Sequence, residues 1–223
     1  MNIYIDTLGC PKNFCDSEGA AGVMEKEGHK IVCSPQEADV ILINTCGFIR
    51  DAKEESIDHI IELSELKKEG VRLIVSGCLT QRYGEELHRE LPEIDVILGV
   101  NDYDKLTCIL SDLANGKKEN HLNHQEGIYV ELGKRKNLGP SHTSYLKIAE
   151  GCDNVCAYCI IPQIRGGYRS REKERILEEA RQLVSDGCKE IILVAQDVTA
   201  YGTDLMARIN CRRCSILFAR LRK

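Results

Sequence analysis

Residues 39–70 read DVILINTCGFIRDAKEESIDHIIELSELKKEG. An apolar run of strand length, Asp39 to Asn44, leads through Cys46 and Gly47 into a segment whose apolar residues recur at helical spacing. That segment runs from about Asp51 through Ile57, Ile60, Ile61 and Leu63 to Leu66 and stops at Gly70. A strand feeding a helix that ends on glycine is half of a βαβ unit. Whether it has company along the chain decides the fold.

It does. Further strand-length runs lie at Asn2 to Leu8, Val71 to Ser76 and Asp95 to Val100, each followed by helically spaced apolar residues. Ser34, a good N-cap residue, with Pro35 behind it predicts one more helix start. Strands alternating with helices imply parallel pairing, so residues 1–113 are expected to form a layered α/β domain. Residues 114–142, polar and rich in Gly, Asn and Lys with only GIYVEL resembling a strand, are expected to be a linker. The alternation resumes with a strand at Tyr145 to Ala149, a helix at Glu172 to Ser185 and a strand at Glu190 to Ala195. Residues 143–205 therefore read as the opening of a second α/β domain, and 206–223 as a separate basic tail.

The chain of 223 residues carries 12 cysteines. Its start, MNIYIDTLGC, reads as a first strand rather than a signal peptide, and no apolar run approaches the roughly 18 residues of a membrane span. A cytoplasmic, reducing location is expected, where surplus cysteines point to metal or redox chemistry rather than disulfides. The formal net charge of −5 hides an asymmetry. Six basic residues, Arg208 to Lys223, lie in the last seventeen positions without an acidic one, leaving 24 basic against 35 acidic residues elsewhere. An acidic body suits a basic partner better than a phosphate backbone.

Two cysteine patterns stand out. Cys10 ends YIDTLGC, Cys46 ends VILINTC and Cys78 ends LIVSGC, so three predicted parallel strands each deliver one cysteine to the carboxyl edge of the sheet, where ligands of open α/β sheets bind. Gly9, Gly47 and Gly77 flank them and leave room for a bulky inorganic group. The competing reading for this trio is coincidence. In GCDNVCAYCIIP, residues 151–162, Cys152, Cys156 and Cys159 follow a C-x3-C-x2-C spacing unlike the paired C-x2-C of a zinc ribbon. Three thiolates on a four-iron cluster leave one iron open for substrate. Cys15, Cys33, Cys108 and Cys188 sit where a small apolar residue would serve and are expected to be packing.

The spacing of Cys152, Cys156 and Cys159, with Tyr158 before the last of them, resembles the radical S-adenosylmethionine superfamily. The runs TLGCPKNFCDSE, NTCGFIRDAKEESI, SGCLTQRY, YLKIAEGCDNVCAYCIIPQIRGGYRSR and ILVAQDVTAYGTDL resemble its methylthiotransferases over residues 1 to about 205. GCPKN and NTCGFI resemble the branch acting on a ribosomal protein more than the branch acting on tRNA. The resemblance implies an N-terminal parallel-sheet methylthiotransferase domain followed by the beginning of a partial TIM-type barrel. It implies two 4Fe-4S clusters, one on Cys10, Cys46 and Cys78 and one on Cys152, Cys156 and Cys159. The second would bind S-adenosylmethionine near Tyr158 and pass it an electron from a donor protein, releasing a 5'-deoxyadenosyl radical; the first would take part in sulfur delivery. The substrate implied is an aspartate of the small-subunit ribosomal protein S-twelve, with a tRNA adenosine or a non-catalytic iron-sulfur role as the alternatives.

Other residues receive blander expectations. Arg165, Arg169 and Arg171 are expected on a solvated basic face. His29, His59, His88, His121, His124 and His142 show no ligand spacing and are expected at the surface. Asp197 ends a predicted strand and is a candidate for the border of the cofactor site. After Leu205 the resemblance stops, which reads as a C-terminally truncated or frame-disrupted copy whose Cys211 and Cys214 are incidental.

Overall fold

The computed structural model describes residues 1–66, 70–122 and 129–205. Contacts divide the chain into two units, Met1–His124 with Leu132–Lys136, and Gln125–Glu131 with Asn137–Lys223.

In the first unit, β1 (Asn2–Thr7), β2 (Lys30–Val32), β3 (Val40–Thr45), β4 (Arg72–Gly77) and β5 (Val96–Leu98) form one parallel sheet in the order β2-β1-β3-β4-β5. All six residues of β3, VILINT, are buried, as a central parallel strand covered on both faces must be. On one face α1 (Pro11–Lys26) and α4 (Leu106–Ala114) pack Ala20, Met24, Leu106, Ile109 and Leu110 against Ile3, Val40, Leu42 and Ile74. On the other, α2 (Arg50–Ser64) and α3 (Cys78–Glu90) set Ile60, Leu79 and Leu87 against Ile41, Ile43, Leu73 and Val75. The strand order reverses between β1 and β3, so the crevice of this doubly wound sheet opens there.

Two expectations are corrected. The helix expected from Ser34 is a single 3-10 turn, Pro35–Glu37, with no side-chain cap. Three residues after it β3 begins, too soon for a second turn. The stretch 114–142 is also more than a polar linker. His121 extends the sheet beyond β5, with its N–H donating to the Ile97 carbonyl at 2.8 Å and its carbonyl accepting from the Gly99 N–H at 2.7 Å. Leu122 joins the core beside α3, and Leu132 joins the core beside α1. Residues 132–136 lie along α1 so closely that a Cβ on Gly22 would stand 2.0 Å from the Lys134 carbonyl oxygen. Arg135 there pairs with buried Glu18 at 3.0 Å. GIYVEL forms no strand among its described residues.

In the second unit, β6 (Thr143–Lys147) pairs in parallel with β9 (Glu190–Val194), and α6 (Lys173–Ser185) connects them, the βαβ start of a barrel-type domain. Leu146, Ile148, Ile176, Ala180 and Tyr201 are its core. A two-residue antiparallel pair, β7 (Ala149–Glu150) with β8 (Arg169–Ser170), brackets the segment that carries the second cysteine trio and the short helix α5 (Ile161–Arg165). No helix of the described residues is long and apolar enough to cross a membrane.

Candidate functional site

Cys10, Cys46 and Cys78 follow the carboxyl ends of β1, β3 and β4, three adjacent strands, the first two flanking the point where the strand order reverses. Cys10 is the N-cap of α1 and Cys78 the first residue of α3. Both sulfurs are thus presented at helix amino ends, whose unpaired N–H groups favour a negatively charged ligand set. Cys10 and Cys46 are half-buried and Cys78 is buried. The Cys10 and Cys78 thiols address one acceptor, the Asn13 Oδ1, at 3.9 and 3.8 Å. Cys46 stands against Gly9, where an added Cβ would meet its Sγ at 3.1 Å. Gly77, at φ +104, lets β4 enter α3 without a loop; a Cβ there would lie 2.4 Å from the Thr45 carbonyl oxygen.

The second trio occupies the segment between β7 and β8. Its base is fixed: the Cys152 N–H donates to the Gly166 carbonyl at 3.1 Å and the Tyr168 N–H to Asp153 Oδ1 at 2.8 Å. Its tip faces solvent, with Val155 98% and Tyr158 89% exposed. Cys156 is exposed, Cys152 and Cys159 are half-buried, and Cys159 turns back onto the Cys156 carbonyl at 3.0 Å. Asn154 Nδ2 donates to Cys152 Sγ at 3.4 Å.

Among the described residues no three His, Cys, Asp or Glu side chains gather tightly enough to hold one metal ion. Thiolates around a single ion at about 2.3 Å each would lie within roughly 4 Å of one another. An iron-sulfur cluster gives each thiolate an iron of its own and sets the sulfurs farther apart. The donor chemistry, all thiol, and the glycine-lined surroundings of the first trio fit such a cluster.

Beneath the second trio lies a buried charge network that the sequence reading missed. Glu150 Oε2 accepts from Lys147 Nζ at 2.9 Å and from Arg165 at 2.8 Å. Its Oε1 accepts from Gln196 Nε2 at 2.6 Å and the Gly151 N–H at 3.2 Å. Burial opposes ionisation of this carboxyl, but the Arg165 guanidinium and the Lys147 ammonium overcome it and hold Glu150 well below the usual carboxylate range. Arg171 makes a forked contact with Glu131 at 2.7 and 2.6 Å and reaches Glu179 at 2.7 Å. Burial acts to lower its affinity for the proton, and the Glu131 hydrogen bonds more than reverse this. Arg165, Arg169 and Arg171 are 1%, 5% and 5% exposed, so the expected solvated basic face is instead an internal scaffold.

Of the remaining expectations, Cys15 and Cys188 are buried, as packing residues would be, whereas Cys33 and Cys108 are exposed, Cys108 reaching Asp112 Oδ2 at 3.6 Å. No described histidine is buried; His59 pairs with Asp6 at 2.7 Å, and His124 lies outside the described residues. Asp197 caps the 3-10 turn Val198–Ala200, and the hydrogen bond from Thr199 draws its carboxyl below the ordinary value. Cys211 and Cys214 also lie outside the described residues.

Gly151 is the hinge of the second trio. Its φ is +77, and a Cβ would stand 2.0 Å from the Gly167 carbonyl oxygen. Gly187, in the same unit at φ +98, has nothing within 4 Å of the same position. Gly187→Ala is expected to cost about 1–2 kcal/mol of backbone strain. Gly151→Ala is expected to cost at least about 2 kcal/mol more, because backbone must move. Urea midpoints of the two variants check the difference.

Residues 2–99 match the family described as Uncharacterized protein family UPF0004, and residues 146–218 match the Radical SAM superfamily. A protein of Clostridium tetani named Ribosomal protein uS12 methylthiotransferase RimO is 54% identical over 201 residues, 89% of this chain and 45% of the relative. Its namesakes in Anaeromyxobacter sp. strain K and Clostridium acetobutylicum are 49% and 52% identical, covering 93% and 91% of this chain and 44% and 46% of theirs. The chain spans about half the length of the curated relatives it matches. Among solved structures, the radical S-adenosylmethionine methyltransferase TsrM from Kitasatospora setae aligns at TM-score 0.60 and 10% identity, over 89% of this chain and 49% of its own. The cobalamin-dependent enzyme OxsB aligns at 0.55 and 12%, over 89% and 34%. These two show likeness of fold.

Proposed function

We propose, for a chain that belongs to the radical S-adenosylmethionine methylthiotransferase family, that the protein carrying it methylthiolates an aspartate of ribosomal protein uS12 in the cytoplasm. The observation that carries the proposal is the pair of all-cysteine trios, each delivered at a strand end or in a loop pinned to a strand, in a chain 54% identical over 201 residues to a protein of that name.

In this reading Cys152, Cys156 and Cys159 hold one 4Fe-4S cluster and Cys10, Cys46 and Cys78 another. With three protein thiolates each, the clusters would keep an open iron, the one on Cys152, Cys156 and Cys159 to bind S-adenosylmethionine and pass it an electron received from a donor protein, and the one on Cys10, Cys46 and Cys78 to hold the sulfur to be transferred. The protein's own part is positional. The Gly166 carbonyl and Asp153 fix the base of the loop carrying Cys152, Cys156 and Cys159, and Glu150 ties that base to β6, α5 and Gln196, two residues after β9. Tyr158, beside Cys159 and open to solvent, would contact the cofactor in this reading. We assign 1–113 to the methylthiotransferase domain and 143–205 to the start of the radical domain, and 114–142 joins them while its His121, Leu122 and residues 132–136 pack on the first unit.

The test uses the full-length protein with an anaerobic reductant, offered uS12 and tRNA together and followed by mass spectrometry. The expected product is uS12 heavier by one methylthio group on an aspartate, with tRNA unchanged. Methylthioadenosine in tRNA with unmodified uS12 would move the assignment to the tRNA branch. Iron-loaded protein that modifies neither would favour a non-catalytic role.

A further inference from the structure

Asn13 belongs to neither cysteine trio, yet it is fully buried at the centre of the first. Its Nδ2 donates to the Leu8 carbonyl at 3.0 Å and to the Thr45 carbonyl at 2.9 Å. Those carbonyls lie just beyond β1 and at the last residue of β3, two residues before Cys10 and one before Cys46. With both amide hydrogens committed, the carboxamide has one orientation left, and its Oδ1 faces the Cys10 and Cys78 sulfurs at 3.9 and 3.8 Å. The third cysteine abuts the same group of atoms. A Cβ on Gly9 would lie 3.1 Å from Cys46 Sγ and 3.4 Å from Asn13 Nδ2. Asn13 is held in turn, because Asn44 Nδ2 donates to its carbonyl at 2.8 Å and to Ser17 Oγ at 3.0 Å.

We infer that Asn13 is the positioning residue of the Cys10, Cys46 and Cys78 site, tying the ends of β1 and β3 together and setting the Cys10 and Cys78 thiols toward one point before a cluster is bound. The inference rests on the proposal that this trio holds a cluster. Three ligands that arrive from three strands have no local sequence to fix their separation. One buried side chain bonded to two of those strand ends and facing the thiol of the third supplies it. Side chains that orient metal ligands typically account for about 10- to 100-fold in metal affinity.

The experiment uses the 223-residue chain with Cys152, Cys156 and Cys159 replaced by alanine, so that only the first site reports. After anaerobic reconstitution, iron retention against a ferrous chelator and the electron paramagnetic spectrum of the reduced cluster are compared for Asn13, Asn13→Ala and Asn13→Asp. Gln81→Ala is the control, since Gln81 is also buried and bonded to backbone, accepting from the Val100 N–H at 3.1 Å, beyond the end of β5, a strand that carries none of the three cysteines. The expected result is iron held about 10- to 100-fold less tightly in both Asn13 variants, with an altered spectrum in whatever cluster remains, and no change in the control. Should Asn13→Ala fail to fold by circular dichroism, Asn13→Asp, of the same size, decides alone. Retention and spectrum equal to the control's in a folded Asn13 variant would overturn the inference and leave the cluster proposal standing. No iron in the parent with Asn13 intact would overturn the cluster proposal itself.

Discussion

Reconstituted under anaerobic conditions, the chain is expected to carry about eight irons, and replacing Cys152, Cys156 and Cys159 with alanine should leave about four. The halving follows from independent frames. The first trio hangs on a five-stranded sheet with its own core on both faces. The second hangs on a loop closed by Gly166 and Asp153 within the other unit. Neither unit's ligands are drawn from the other. The reciprocal replacement of Cys10, Cys46 and Cys78 should also leave about four. Iron and acid-labile sulfide measured per chain check both results. Full iron in either triple variant would remove the corresponding trio from the ligand set, and no iron in either would mean that one cluster needs the other.

The largest stability effect is expected at Glu150. Glu150→Ala leaves Arg165 and Lys147, with side chains 1% and 9% exposed, buried beside each other without their shared carboxylate. Removing one partner from a buried ion pair costs about 3–5 kcal/mol, because the stranded charge has lost its water as well as its counterion. The damage should be local to the second unit. Hydrogen exchange in β6 and α6 should accelerate while β3 and β4 keep their protection. A loss under about 1 kcal/mol would place the network in the class of solvated surface pairs. Replacing Lys147, Glu150 and Arg165 together by apolar residues of similar length should cost much less than Glu150→Ala, since it removes the charges in company.

The parts of this fold legible in the sequence are those that depend on neighbours in the chain. Apolar runs of strand length located β1, β3 and β4, helical spacing located α2 and α6, and the recurrence of a cysteine after each of three strands singled out the first trio without any contact being known. The helix expected at Ser34 failed because capping chemistry reports where a helix is able to start and not how far it is able to run. With Val40 already in β3, one 3-10 turn was all the chain allowed.

The larger misreading was of charge. Arginines at 165, 169 and 171 in a polar, glycine-rich stretch look solvated, as most arginines are. What holds Arg165 and Arg171 inside is Glu150, Glu131 and Glu179, acidic residues 15, 40 and 8 positions away that become neighbours only when β7 pairs with β8 and residues 129–131 fold back, and Arg169 donates to the Arg165 carbonyl at 2.9 Å. The same holds for the stretch 114–142. Its composition is that of a linker, and only the small residues of α1, Gly19 and Gly22, reveal that Leu132 and Lys134 pack against that helix. Asn13 and Glu150 share this property: each is a polar residue in an otherwise ordinary setting, recognisable by the distant groups it joins.

The central claim is a division of labour between two trios, and reductive cleavage of S-adenosylmethionine tests it most directly. The full-length protein, reconstituted and reduced without oxygen, is given S-adenosylmethionine and assayed for 5'-deoxyadenosine. The parent and the variant lacking Cys10, Cys46 and Cys78 should both release it, while the variant lacking Cys152, Cys156 and Cys159 should release none above the metal-free background. Release that survives loss of Cys152, Cys156 and Cys159, or that disappears on loss of Cys10, Cys46 and Cys78 alone, would contradict the account.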